Sequence, residues 1–69
     1  AALIIDTVQN KAPHIQLLQH HTVYPVAQDG AMIIGGSTLA NARLFIRIRG
    51  KWSVVNTSGS IADGNTIPD

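Results

Sequence analysis

The chain has 69 residues, a formal net charge of +1 and no cysteine. This length suffices for one small domain, and the missing cysteines exclude a disulfide scaffold and a Cys-based zinc site. Charged residues make up only 13% of the chain, against about 25% in ordinary soluble domains. We therefore expect much of the surface to be buried against other copies or a larger assembly. No apolar run approaches the ~20 residues that span a bilayer, which argues against a membrane partner.

The first 27 residues are predicted to form an N-terminal arm with short strands. Residues 1–10 fit a strand or a short helix. The runs 3–5 and 7–8 favour a strand, whereas the heptad-like spacing of Ile4, Val8, Lys11, Ile15 and Leu18 is typical of a helix. Pro13 breaks any helix that would continue, and residues 15–18 remain open between the two states. Residues 22–26 are predicted as a strand, since Pro25 restricts Tyr24 to extended geometry.

The segment that follows contains strong turn signals. Residues 28–30 end in Asp29-Gly30, the dipeptide typical of tight hairpin turns. The apolar run 31–34 is bounded by a Gly-Gly-Ser sequence and is predicted to be a buried strand. Residues 38–42 fit a short helical turn or an irregular loop. From residue 57 to 69 the chain is a turn-rich tail, with Ile61 and Ile67 as isolated apolar anchors.

Residues 43–56 predict a β-hairpin at the centre of the 28–56 segment. Apolar and basic residues alternate with a period of two, and a glycine at position 50 suits a tight turn. A loop of odd length would place the Trp on the aliphatic face, whereas a two-residue loop would place it beside the arginines. We predict the odd loop, because burying a Trp among aliphatic side chains is worth several kcal/mol at roughly 25 cal/mol per Å². The predicted core and interface face is Leu44, Ile46, Ile48, Trp52 and Val54, joined by Val23, Val26, Met32, Ile33 and Ile34.

Nothing in the sequence predicts catalysis, a cofactor or a metal site. The three histidines, His14, His20 and His21, are expected at a surface or an interface, with an ion on a trimer axis as a minor hypothesis. Asp29 and Asp63 each precede a glycine and are assigned to turns. The Gly-Gly-Ser-Thr sequence from residue 35 lacks the lysine and glycine spacing of a phosphate loop.

The hairpin carries four of the five basic residues of the chain together with its only Trp. Such a ribbon could bind nucleic acid through phosphate contacts and base stacking. The alternatives are a solvated face, or arginines that pair with aspartates of a neighbouring chain. The residues concerned are Arg43, Arg47, Arg49 and Lys51.

The segment 28–55 resembles short modules of bacteriophage tail-fibre, head-fibre and tailspike proteins. The resemblance lies in Asp29-Gly30, in Gly35-Gly36 and in the sequence from Leu44 to Trp52, and it is supported by a charge-poor composition rich in Asn, Ser, Thr and Gly. It implies a homotrimeric β-structured module that attaches, trimerises or caps a fibre, or decorates a capsid, and that has no catalytic activity.

The sequence therefore predicts one small, mainly antiparallel β-domain with a central hairpin and a trimeric, intersubunit β-structure. The expected function is that of a structural virion component that contacts sister copies and other virion proteins. A nucleic-acid-binding β-domain is the first alternative. A carbohydrate-binding fibre-tip module is the second, with Tyr24 as the aromatic residue available for a sugar.

Overall fold

The computed structural model describes residues 3–5 and 12–68 and contains five β-strands in this part of the chain. The strands are β1 (Leu3–Ile5), β2 (Ile15–Leu17), β3 (Met32–Gly35), β4 (Arg43–Ile48) and β5 (Lys51–Val54). β1 pairs with β2, and β3, β4 and β5 form a three-stranded sheet in that order. All pairs are antiparallel, which confirms the predicted mainly β, antiparallel class.

The described residues contain no helix, and so none that could span a membrane. Residues 3–5 are a strand, which decides between the two predictions for that part of the N-terminal arm. The other residues of the 1–10 segment lie outside the described ranges. Residues 15–17, where the sequence left the state open, are also a strand.

The hairpin between β4 and β5 turns through two residues. Arg49 and Gly50 have φ values of 55° and 75°, and Arg47 and Ile48 lie opposite Trp52 and Lys51. Two successive positive φ values are the geometry of a type I′ turn, whose twist matches that of the flanking strands. The predicted loop of odd length is therefore wrong. The tight turn still allows the Trp52 indole to be buried in part, because other aromatic side chains pack against it on the side of the sheet that carries the arginines.

The register divides the three-stranded sheet into two faces. The first, here called the aliphatic face, carries mainly unbranched and branched aliphatic side chains: Met32, Ile34, Leu44, Ile46, Ile48, Lys51 and Ser53. The second, the aromatic face, carries Ile33, Gly35, Arg43, Phe45, Arg47, Trp52 and Val54. Trp52 and Val54 thus lie on the face opposite to Leu44, Ile46 and Ile48, which corrects the predicted single core face.

Residues 22–27, here called the crossing segment, pass over the aromatic face without forming a strand. Tyr24 packs against Phe45 and Trp52, while Val23 and Val26 are 76% and 103% exposed. The predicted strand at 22–26 and the predicted core positions of these two valines are therefore wrong. Their β-branched character favoured a strand, but the segment lies across the sheet and has no ladder partner to pair with.

The core of the described part of the chain is small. Ile33, on the aromatic face, is buried at 8% exposure, and Ile34 is half-buried. The apolar run predicted as a buried strand is confirmed as β3, although Met32 at its start is 55% exposed. The predicted turn at Asp29-Gly30 is also confirmed.

The free edge of β3 receives a short addition from the segment after β2. The amide of His21 donates to the carbonyl of Ile34, and the amide of Gly36 donates to the carbonyl of His21, each over 2.9 Å. This isolated parallel bridge fixes the point from which the crossing segment starts. The tail after Val55 contains a turn at Asp63-Gly64 and no strand up to residue 68, and its isoleucines are exposed.

The turn geometry gives a direct test of the register. Arg49 adopts a left-handed conformation that is unfavourable for most side chains but tolerated by Asn, so Arg49→Asn should stabilise the fold by about 0.5–1 kcal/mol. Chemical denaturation at fixed protein concentration would measure this change. Arg49→Gln removes the same charge without the conformational benefit and should leave stability nearly unchanged. A destabilising Arg49→Asn substitution would mean that the loop does not have two residues.

Candidate functional site

The basic residues of the hairpin do not form one surface. Arg43 and Arg47 lie on the aromatic face, Lys51 lies on the aliphatic face, and Arg49 is at the tip of the turn. The hairpin of the predicted nucleic-acid interface is thus present, but its cations point in different directions. A backbone-tracking groove needs its cations aligned along one path.

The Arg47 side chain forms hydrogen bonds within the chain and is therefore not free to bind a ligand. Its Nη1 donates to Oδ1 of Asp29 at 3.0 Å, and its Nη2 donates to the carbonyl of Gly50 at 3.2 Å. The same Oδ1 accepts the amide of Gly50 at 2.9 Å. Asp29 therefore ties the turn before β3 to the turn between β4 and β5, a role that goes beyond the local turn assigned to it from the sequence.

Three aromatic side chains form a cluster on the aromatic face. The Tyr24 ring lies edge-on to Phe45, with centroids 5.3 Å apart and planes at 81°, and it is roughly parallel to Trp52 at 6.3 Å and 20°. The indole Nε1 of Trp52 donates to the carbonyl of Pro25 at 3.1 Å. These contacts attach the crossing segment to the sheet, and they account for the half-buried position of Trp52.

A cleft of about 570 Å³ opens beside the aromatic cluster. Its apolar part is lined by residues of the crossing segment and of the sheet: Val23, Tyr24, Ile33 and Phe45. Its polar part is lined by His21, Thr22, Ser37, Asn41 and Arg43, of which Arg43 carries the cationic group. This volume lies within the range of about 300–1,000 Å³ that is usual for small-molecule sites.

The wall of the cleft depends on two adjacent glycines at the end of β3. A Cβ on Gly36 would lie 3.0 Å from the carbonyl oxygen of Asn41 and from Cα of Ala42, and a Cβ on Gly35 would lie 3.3 Å from the ring of Phe45. The loop from residue 38 to 42 closes the wall, with the amide of Asn41 donating to the backbone and side-chain oxygens of Thr38. Of the two states that the sequence left open for residues 38–42, the structure shows the irregular loop and no helix. The two glycines allow close approach of the backbone.

The aliphatic face is the second candidate surface. The crossing segment packs on the aromatic face, and the β1–β2 pair makes at most slight contact with the three-stranded sheet. Met32 and Ile48 are 55% and 49% exposed, and Ile34, Leu44 and Ile46 between them are half-buried. Five adjacent aliphatic side chains thus form a contiguous apolar surface.

The histidines do not converge on a common point in the described structure. His14 and His21 are exposed and His20 is half-buried, and no group of three potential metal ligands occurs among the described residues. The aspartates within the described ranges are Asp29, in the ion pair with Arg47, and Asp63, in a turn of the tail.

The cleft cannot be predicted from the sequence, although some of its lining residues can be identified there as candidate binding residues. The sequence identifies Tyr24 as an available aromatic residue and Arg43 as a basic one, but their proximity depends on the path of the crossing segment. The long-range contact of Asp29 was missed for the same reason. Comparisons with protein-family models, with curated proteins and with solved structures found no match for this chain.

The contact of Asp29 generates a stability prediction. Asp29→Ala removes the oxygen that accepts two hydrogen bonds between the paired turns and should destabilise the fold by about 1–2 kcal/mol, since the group is partly exposed. Asp29→Asn keeps an oxygen acceptor and should lose clearly less. Equal stability of Asp29→Ala and the parent chain, measured by urea denaturation, would show that the two turns are not coupled through this carboxylate.

Proposed function

We propose that this chain is a non-catalytic structural module of a bacteriophage-type virion, which assembles with copies of itself through the aliphatic face. The observation that carries the proposal is the uncovered row of aliphatic side chains on one side of a three-stranded sheet. A sheet of this kind needs a second layer to bury its apolar side, and in the described part of the chain the crossing segment supplies such a layer on the aromatic face.

The exposed area of the chain supports assembly. The chain exposes 6173 Å², whereas a folded monomer of its mass would expose about 4,200 Å² by the usual surface scaling. The excess is roughly 2,000 Å², and a stable interface needs about 800 Å² from each partner. The extended tail accounts for part of this excess, and the aliphatic face provides an apolar area that a partner would bury.

The chemistry of the aliphatic face favours a second copy as the occupant. Its centre holds no charge, and Lys51 lies at one corner, beside the turn. Two or three copies can therefore meet without burying like charges, which an interface core normally excludes. A partner of strong charge would find nothing complementary there. The low charge content of the whole chain, 13%, is consistent with a surface that is largely covered in the assembled state.

The assignment to a virion rests on the resemblance of residues 28–55 to fibre and tailspike modules. That resemblance implies a homotrimer that attaches or trimerises a fibre, located in the virion and in contact with other virion proteins. The antiparallel hairpin is consistent with such a module. The nucleic-acid alternative receives less support, because Arg47 is paired with Asp29 and the other three cations are dispersed.

Self-association can be tested at the aliphatic face itself. The chain should sediment near 22 kDa, three times its mass of 7.3 kDa, at concentrations well above the dissociation constant. The double substitution Met32→Lys and Ile48→Lys places two charges on this face at positions that are already about half exposed. It should convert the oligomer to a monomer that keeps its β-type circular dichroism, because buried like charges oppose association.

The matched control is Ile61→Lys in the tail, where the side chain is 82% exposed and lies outside both sheets. This variant should remain oligomeric. A parent chain that sediments as a monomer, or a double variant that stays oligomeric, would contradict the proposal. A dimer in place of a trimer would keep the interface but contradict the fibre-type symmetry.

A further inference from the structure

We propose that the cleft on the aromatic face binds an acidic saccharide, with its carboxylate on Arg43 and its ring against the apolar lining. This inference does not depend on the assembly proposed above, since the cleft and the aliphatic face lie on opposite sides of the same sheet. The cleft offers a cation, an apolar base and a polar rim.

Arg43 supplies the charge. It extends from β4 opposite Gly35, it is exposed, and it forms no ion pair with a carboxylate among the described residues. The ring of Phe45 lies 3.3 Å from where a Cβ of Gly35 would be, and the exposed Arg43 lines the cleft beside this ring. A planar guanidinium with several donors matches a carboxylate in a two-point geometry, which a lysine would not provide.

The apolar part of the cleft suits a ring. Ile33 and Phe45 form its base, and Tyr24 forms one side while remaining 60% exposed. The ring of Tyr24 is held by Phe45 and Trp52, so a ligand would not have to order it. A preformed apolar surface of this kind loses little conformational entropy when a ligand packs on it.

The rim distinguishes a sugar from a purely apolar acid. Thr22, Ser37 and Asn41 bring two hydroxyl groups and an amide to the edge of the cleft, where they can both donate and accept hydrogen bonds. A ligand with one apolar face, a ring of hydroxyl groups and one carboxylate uses all three parts of the cleft. An aromatic acid would make no use of the rim groups, and a neutral sugar would make no use of the Arg43 charge.

The test uses nuclear magnetic resonance titration of the 69-residue chain with three probes: glucuronate, glucose and inorganic phosphate. Glucuronate should shift amide signals of residues 35–37 and 41–43 in a saturable way at concentrations up to about 20 mM, which would saturate a millimolar site. It should bind about tenfold more tightly than glucose, because a charge-assisted hydrogen bond to Arg43 is lost with the neutral sugar. Phosphate should bind more weakly than glucuronate.

The variant Arg43→Gln and its matched control Arg49→Gln separate the cleft from general charge. Each removes one exposed arginine from the hairpin, but Arg49 lies at the turn, outside the cleft. Arg43→Gln should abolish the preference for glucuronate over glucose, and Arg49→Gln should keep it. Both variants are expected to fold, because neither arginine forms a hydrogen bond or ion pair with a described residue through its side chain.

Three results would overturn the inference. The first is the absence of saturable shifts with glucuronate, and the second is equal binding of glucose and glucuronate. The third is phosphate binding that equals glucuronate binding and also depends on Arg43, which would assign the cleft to simple anions. None of these results changes the sedimentation of the chain, so a failure here is distinguishable from a failure of the proposed assembly.

Discussion

The two-residue turn at Arg49-Gly50 is the constraint on which the rest of the sheet depends. Its two positive φ values fix Arg47 opposite Trp52, and the period of two in a strand then assigns every other side chain of β4 and β5 to a face. One more residue in the loop would exchange the faces of β5 and bring the Trp onto the aliphatic side. The turn, rather than the demand for Trp burial, therefore decides which surface is left apolar and uncovered.

This register creates two different requirements on the two sides of the sheet. On the aromatic side, the indole needs both apolar contact and an acceptor for its N–H, and the crossing segment supplies Tyr24 for the first and the Pro25 carbonyl for the second. On the aliphatic side, Met32 and Ile48 remain about half exposed. Ile33 is the one buried residue in the described part of the chain. The apolar area buried on folding is therefore small, and it offsets little of the conformational entropy that folding costs. Self-association is the simplest way to bury more.

Much of the local structure followed from the sequence, and most of the long-range structure did not. β3, β4 and β5 were predictable because β-branched runs end at glycine-containing turns, and Asp29-Gly30 was predictable as a turn from the dipeptide alone. The predicted register is wrong because it ranks the burial of Trp52 above the preference of the Arg49-Gly50 turn for two residues. The aromatic side chains that cover the arginine side of the sheet cannot be read from the sequence. Val23 and Val26 were mispredicted because propensity describes a residue's preference for extended backbone and not whether a strand partner exists. The cleft could not be predicted from the sequence, because it forms between segments that only the tertiary fold brings together.

The positions of the two proposed surfaces have a consequence for how tightly the assembled protein would bind. If copies join through the aliphatic face, the cleft of each copy stays on the outside, because it lies on the other side of a single sheet. A trimer would then present three clefts with fixed spacing, and linked sites gain avidity of about 10²–10⁴ over a single one when their geometry matches a repeated ligand. A shallow site with one cation and a few rim groups is therefore sufficient for attachment to a polymer of acidic sugars. Weak binding by one isolated chain is compatible with this arrangement, because several contacts that each release quickly alone would release slowly when they are linked.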